Sequence, residues 1–313
     1  MLQYLSMYDL TIIGGGPAGV SAGVYAARKR LKTLFITQEF GGQSSVSEDI
    51  QNWIGFPHIS GTDLAKSLET HLETYKADIV DIHKGETVTE IEKKDAGFLV
   101  TMDGGKTFET KTVLVASGSH RRKLDVPGAA EFEHKGITYC ASCDGPLFAG
   151  KDVAVIGGGN AGFETTVQLA AYCPRVYLLN RSDSFRADEV TVKRVSENPN
   201  VTIIMNAIPT KVEGGAFASK LSYKDAKTGE EKTLNVGGVF VEIGLIPATE
   251  YVAGLVTLND YKQIVVNPKN QQTNVPGVWA AGDCTDGIYH QNNIASGDAV
   301  KALEDIYQYL HSR

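Results

Sequence analysis

An α/β fold built from two Rossmann-like units, one inserted into the other, follows from two observations. The same strand–glycine–helix pattern occurs twice, and the stretches between the copies alternate polar and apolar residues. The first copy runs from Asp9-Leu10-Thr11-Ile12-Ile13 into Gly14-Gly15-Gly16-Pro17-Ala18-Gly19, and small residues at helical spacing follow from Ala18 to Arg30. The second runs from Val153-Ala154-Val155-Ile156 into Gly157-Gly158-Gly159-Asn160-Ala161-Gly162, with a helix expected over Phe163 to Ala171. Both read as G-x-G-x-x-G after a buried strand and before a helix, the context that gives this motif its meaning.

Each glycine has a physical task. Gly14 and Gly157 open the tight turn. Gly16 and Gly159 let backbone approach a pyrophosphate, and Gly19 and Gly162 allow helix and strand to close up. The pyrophosphate would rest on the helix N-terminus, with Pro17, Ala18 and Asn160 in the first turns. Two copies imply two bound nucleotides.

Between the copies, Gly85 to Thr112 reads as an antiparallel meander with a turn at Asp103-Gly104-Gly105, and Val113-Leu114-Val115-Ala116 as a further buried strand ending in Ser117-Gly118. A second meander is expected from Ile203 to Phe240, with a hairpin near Lys227-Thr228-Gly229. Val278-Trp279-Ala280-Ala281-Gly282-Asp283 returns to the strand–glycine style, and Ala295 to His311 is a final amphipathic helix. The insertion then divides the chain into one domain of residues 1–121 and 249–313 and another of residues 122–248. No long linker is present, so the crossovers fall near Arg121 to Pro127 and Ile246 to Ala248.

Composition narrows the class. The chain has 313 residues, enough for two full cores. A net charge of −7 argues against nucleic acid or an acidic membrane as partner. No apolar run is long enough to span a bilayer, and Met1 to Met7 lacks the basic and apolar parts of a secretion signal. Four cysteines in a chain of this length make no disulfide scaffold. The cytoplasm is the expected compartment, and there a Cys-x-x-Cys is catalytic or metal-binding.

Cys140-Ala141-Ser142-Cys143-Asp144 is such a pair, followed at once by a carboxylate. The spacing puts the resolving sulfur within one turn, and a thiolate attacks a disulfide far faster than a thiol does. Asp144 could move protons in that exchange. Zinc would need two further ligands at matched spacing, and Cys173 and Cys284 stand alone, so no metal is expected. Those two read as buried, reduced thiols.

The second fingerprint's choice of nucleotide is read at the tip of its next strand. Val176-Tyr177-Leu178-Leu179 ends in Asn180-Arg181-Ser182-Asp183-Ser184-Phe185-Arg186. An acid at the tip would grip the 2′-hydroxyl of NADH and repel a 2′-phosphate. Asn180 does neither. Arg181 and Arg186 can meet a phosphate, and a charge-assisted hydrogen bond contributes roughly 1.5–3 kcal/mol, about a ten- to hundredfold preference for NADPH. The first fingerprint's next strand ends at Ile36-Thr37-Gln38-Glu39 without the usual acid at its tip. Asp283, after Gly282, suits a flavin ribityl hydroxyl. His290-Gln291 opens the last helix and could face an isoalloxazine ring. His58, His71, His83, His120 and His134 read as surface or loop residues.

Taken in order, these motifs, together with Gly41-Gly42-Gln43, Asn52 and Ala116-Ser117-Gly118, resemble the low-molecular-weight thioredoxin reductase family over nearly the whole chain. Thr138-Tyr139-Cys140 and Cys143 to Phe148 are also similar to the flavoprotein subunit of alkyl hydroperoxide reductase. That subunit carries extra N-terminal thioredoxin-like domains, which this chain is expected to lack. The resemblance implies the pyridine nucleotide-disulfide oxidoreductase fold, with FAD in the first domain on Gly14, Gly16, Pro17, Ala18, Gly19, Gly42, Gln43, Asn52, Ala116, Gly118, Gly282, Asp283 and Gln291. It implies NADPH in the middle domain on Gly157, Gly159, Asn160, Gly162, Arg181 and Arg186. It makes Cys143 the sulfur facing the flavin, Cys140 the one attacking the partner, and Asp144 the acid/base. It also implies a swing of one domain against the other, a homodimer, and a thioredoxin-like partner near −270 mV.

Departures from the family pattern widen the expectation. The usual His-Arg-Arg-x-x-x-Arg reads Asn180-Arg181-Ser182-x-x-x-Arg186 here, which weakens NADPH selectivity and admits NADH or ferredoxin as donor. His290 and Asn292 stand where a basic and a small apolar residue are common. The same relay could serve a glutaredoxin-like or peroxiredoxin partner. A non-catalytic flavin-binding sensor is the reading from a different class, and turnover separates it from the rest.

Overall fold

The computed structural model describes residues 7–47, 50, 52–139 and 141–312. The chain divides into two compact units. One is formed by the chain up to His120 and again from Ile246, the other by Arg121–Leu245.

The first unit is organised by a mixed sheet of seven strands. In spatial order they are Val80–Lys84, Thr33–Phe40, Tyr8–Gly15, Thr107–Val115, Gly97–Met102 and Val88–Lys94, with Val278–Ala280 also paired to Thr107–Val115. The strands around Tyr8–Gly15 are parallel, and their nearly continuous apolar runs are buried. That is the pattern of a sheet covered on both faces. Helices Pro17–Arg28, Gly61–Lys76 and Asn292–His311 contribute Val20, Leu64, Leu72, Leu303 and Ile306 to a core with Leu10, Phe35 and Trp279. The expected first meander exists, but its last strand does not stop at Thr112. Thr107–Val115 is one strand: its early part pairs antiparallel with Gly97–Met102, and Thr112 to Val115 pairs parallel with Tyr8–Gly15. Polar alternation in its first half hides this continuity in the sequence.

The second unit carries a five-stranded parallel sheet in the order Val201–Ile204, Val176–Leu179, Val153–Ile156, Gly238–Val241, Ile137–Thr138. A three-stranded antiparallel sheet, Ala207–Gly214, Ala218–Asp225 and Glu231–Asn235, accompanies it. The second meander is therefore shorter than expected. Both its outer strands belong to the parallel sheet, where Val201, Ile203 and Phe240 pack into one cluster with Phe163, and this burial outweighs the sequence neighbourhood. The hairpin turn at Lys227-Thr228-Gly229 is held by Asp225, whose carboxylate accepts from the Lys227 and Thr228 amides at 2.8 and 3.1 Å.

The last helix begins at Asn292, with Gln291 as its N-cap. Cys173 and Cys284 are buried free thiols, both pushed up to about 11 by burial. His83 is not a loop residue. It lies in the strand Val80–Lys84, with its ring edge-on to Phe108 and within 3.4 Å of Asp81 and Glu86. His71 sits in helix Gly61–Lys76. Among the described residues, no helix is long and apolar enough to cross a membrane.

Candidate functional site

In the first unit the glycine turn is built around carbonyl oxygens. Gly14 has φ +119°, and a β-carbon there would lie 2.2 Å from the Ala116 oxygen. One on Gly19 would lie 1.8 Å from the Gly14 oxygen. Only glycine permits that closeness. Gly16, by contrast, has open space where its β-carbon would be. It caps helix Pro17–Arg28 with no side-chain hydrogen bond and no acid in the first turn. The helix N-terminus is thus left bare for an anion.

Further residues of the expected flavin set gather around this turn. Gly42 opens the short helix Gly42–Val46, and its β-carbon position is 3.5 Å from Gly16 Cα. Gly282, at φ +79°, comes within 3.4 Å of Ala18 by the same measure. Beyond it, burial pushes the Asp283 carboxyl above the ordinary carboxylate range, and His290 opposes that shift. Gln43 donates to Ser119 Oγ at 2.8 Å. The Asn52 amide donates to Gln291 Oε1 at 3.0 Å, and Asn293 donates to the Asn52 carbonyl at 2.7 Å. Gly118, at φ +66°, accepts from the Ala248 amide at 3.0 Å. His290 points Nε2 to the Gly287 carbonyl at 2.9 Å.

The strand after the first fingerprint helix runs to Phe40, beyond the end of its apolar run. Glu39, where the sequence reading ends this strand without counting it as the tip acid, is therefore an exposed acid one residue inside the strand's C-terminal end. Thr37, two residues before it, is buried and donates to the Glu39 carbonyl at 2.6 Å.

In the second unit the same frame recurs. Gly157 has φ +140°, and its β-carbon position is 2.0 Å from the Glu242 oxygen; that of Gly162 is 1.9 Å from the Gly157 oxygen. Gly159 caps helix Asn160–Leu169, again with no side-chain cap and no acid in the first turn. Asn160 Oδ1 accepts from the Asp188 amide at 2.8 Å. Arg181 and Arg186 are exposed, and neither forms an ion pair among the described residues. Asn180 is 4% exposed and folded inward.

Glu242 is a residue the sequence reading passes over. It follows the buried strand Gly238–Val241, accepts from Arg121 Nη1 at 2.8 Å and from Thr165 Oγ1 at 3.0 Å, and is held above the usual carboxylate range by burial, against the pull of Arg121. The available signal is a lone acid closing the apolar run Val239-Phe240-Val241.

Of the redox pair, Cys140 and the side chain of Cys143 lie outside the described residues. Asp144 closes the short helix Ala141–Asp144 and accepts a hydrogen bond from Thr138 Oγ1. Among the described residues no group of His, Cys, Asp and Glu is arranged to hold a metal ion.

The residues present fit two dinucleotides. Each fingerprint offers an uncapped helix N-terminus beneath a glycine whose β-carbon position is open or met only at 3.8 Å. The family model of the pyridine nucleotide-disulphide oxidoreductases matches residues 8–299. Similar proteins include an NADH dehydrogenase of Bacillus subtilis, 42% identical over 97% of this chain and 58% of its own length. An alkyl hydroperoxide reductase protein of Staphylococcus aureus is 40% identical over 97% of this chain and 59% of its own. The chain thus spans under two thirds of these relatives. Among solved structures, thioredoxin reductase of Lactococcus lactis superposes with TM-score 0.89 at 31% identity, covering 98% of this chain and 100% of that one. Thioredoxin reductase of T. acidophilum gives 0.85 at 36%, covering 96% and 98%. With two matching glycine cradles in one α/β frame, the chain belongs to the pyridine nucleotide-disulphide oxidoreductases, enzymes that use FAD and NAD(P)H.

Proposed function

We propose that this chain is a thioredoxin reductase-type flavoenzyme, carrying electrons from NADPH through FAD to the Cys140/Cys143 disulfide and on to a thioredoxin-like protein. One observation carries the reading: the two glycine cradles match, yet an acid, Glu39, borders the first while Arg181 and Arg186 border the second. An acid suits a free ribose 2′-hydroxyl, as in FAD, and arginines suit a 2′-phosphate, as in NADPH. FAD, when bound, supplies the exchange between a two-electron hydride donor and a dithiol.

The chain's own residues do the rest. The first unit holds the flavin nucleotide on Gly14, Gly16, Pro17, Ala18 and Gly19, with Gly42, Gln43, Asn52, Ala116, Gly118, Gly282, Asp283 and Gln291 around it. The middle unit, Arg121–Leu245, holds the nicotinamide nucleotide on Gly157, Gly159, Asn160 and Gly162. Reduced Cys140 attacks the partner's disulfide and forms a mixed disulfide. Cys143 then displaces the partner as a thiol, which closes the Cys140–Cys143 disulfide again. Asp144, steadied by Thr138, gives the proton that the leaving thiolate takes up. The enzyme acts as a homodimer.

A second reading keeps the sites and changes the ends of the relay, with NADH as donor and a peroxiredoxin system as acceptor. The names carried by the relatives at 40–42% identity favour it, against 31–36% for the thioredoxin reductases.

Anaerobic mixing with NADPH and with NADH, followed by flavin bleaching, tests the donor. Faster bleaching by NADPH supports the first reading, and faster bleaching by NADH the second. No bleaching by either, with dithionite still effective, overturns both. Cys143→Ser should keep bound flavin and lose reduction of every disulfide partner in a panel of thioredoxin, glutaredoxin and peroxiredoxin-linked proteins. Full activity in that variant removes the dithiol step.

A further inference from the structure

We infer that Asn180 is a positioning residue for nucleotide discrimination: it holds the Arg181–Arg186 loop in its phosphate-ready shape, so that an acid at this tip position dismantles the loop instead of recruiting NADH. The inference rests on the nicotinamide nucleotide binding at the second fingerprint.

Asn180 is not placed to touch a ribose. Its side chain is wedged against Gly158, the residue between the first two fingerprint glycines, where a β-carbon would lie 2.0 Å from Asn180 Oδ1. Its Nδ2 donates to the Ser182 and Ser184 carbonyls, both at 2.9 Å. The backbone closes the same loop: Arg186 N donates to Gly158 O at 2.9 Å, and Asn206 N to Ser182 O at 3.2 Å. The carbonyls of the loop therefore turn inward onto one amide, while both guanidinium groups stay exposed.

Aspartate has nearly the same shape but no donor. It would remove one donor from each of the two carbonyls, which keep only Asn206 N and Ser182 Oγ, and set the carboxylate of a buried residue against their oxygens, a costly arrangement. The rule that an acid at the strand tip selects NADH assumes a side chain facing the ribose, and this one faces its own loop. Thr37 solves the same problem in the first unit with a hydroxyl, donating to the Glu39 carbonyl against Gly15.

The experiment compares wild type with Asn180→Asp, Asn180→Ala and Asn180→Thr in two ways. Hydrogen exchange of the Arg186 amide is measured without nucleotide, and NADP⁺ and NAD⁺ binding is titrated calorimetrically. The Asp and Ala variants should speed Arg186 exchange about tenfold or more and weaken NADP⁺ by about tenfold, with NAD⁺ unchanged to about twofold. The Thr variant, which keeps one donor, should fall between them and wild type. A tenfold tightening of NAD⁺ in Asn180→Asp, or unchanged Arg186 exchange in Asn180→Ala, overturns the inference. If wild type binds neither nucleotide, the donor reading fails and the claim of nucleotide discrimination falls with it, while the exchange measurement still decides whether Asn180 holds the loop.

Discussion

The two glycine cradles are nearly the same object made from different sequence. Each presses its first glycine against the carbonyl at the end of a neighbouring strand, Ala116 in one unit and Glu242 in the other. Each presses its third glycine against the oxygen of its first. Even the bond from the loop back to the residue between the first two fingerprint glycines recurs: Gly41 N reaches Gly15 O and Arg186 N reaches Gly158 O, both at 2.9 Å. The differences lie only in side chains at the border. Thr37 stands opposite Asn180, Glu39 opposite Arg181 and Arg186, Ala116 opposite Glu242. Backbone geometry around a pyrophosphate is one problem with one solution, so it repeats. On the proposed reading, border charges, which are free to differ, decide which nucleotide enters.

That comparison breaks most visibly at the third glycine. Gly19→Val and Gly162→Val each force a side chain into a carbonyl, at an expected cost of about 3 kcal/mol or more. The consequences should separate. Gly19→Val loses flavin absorbance, whereas Gly162→Val keeps the yellow colour and loses NADP⁺ binding. Loss of flavin from both would show that the cradles are not independent.

Charge is the next test. Arg181→Ala with Arg186→Ala should lower kcat/KM for NADPH by about ten- to hundredfold and leave NADH unchanged. An equal loss with both nucleotides would place the arginines on the pyrophosphate instead. A smaller effect is expected at the first border: Glu39→Gln replaces a charge-assisted bond by a neutral one and should weaken FAD about fivefold, measured by flavin release on dilution.

The smallest effect concerns Glu242, whose counterpart Ala116 carries no charge. Its carboxyl lies above the 4.5 of an unperturbed glutamate because it is buried. The folded chain therefore binds a proton more readily than the unfolded chain between that value and the folded one. Stability contributed by this group rises as pH falls through that window and is lost as pH rises. Glu242→Gln should remove this component, so wild type gains on the variant in thermal midpoint as pH is lowered from about 7 toward 4.5. The opposite slope would mean that the Arg121 pair dominates over burial.

Much of this frame is legible in the chain. Gly14 to Gly19 and Gly157 to Gly162 are local patterns whose constraints act within one turn, so spacing alone exposes them. Thr107–Val115 is less legible, because one strand serves an antiparallel and a parallel neighbour and its polar alternation changes midway. Val201–Ile204 and Gly238–Val241 look like meander strands until their partners are known. Glu39 lies at the end of the stretch read as strand, but Thr37 and Gln38 separate it from the apolar run, so it does not read as the tip acid.

Two nucleotide cradles, a Cys-x-x-Cys-Asp element ahead of the second, and arginines after its next strand can all be read without coordinates. They rest on glycine's freedom at positive φ, on thiol chemistry and on fixed charge, which are properties of the residues themselves. Folding was needed to turn Asn180 inward, to carry the strand past Glu39, and to bury Glu242 between Arg121 and Thr165. The direction a polar side chain faces depends on which buried donors and acceptors lie nearby, and those come from strands far apart in the chain.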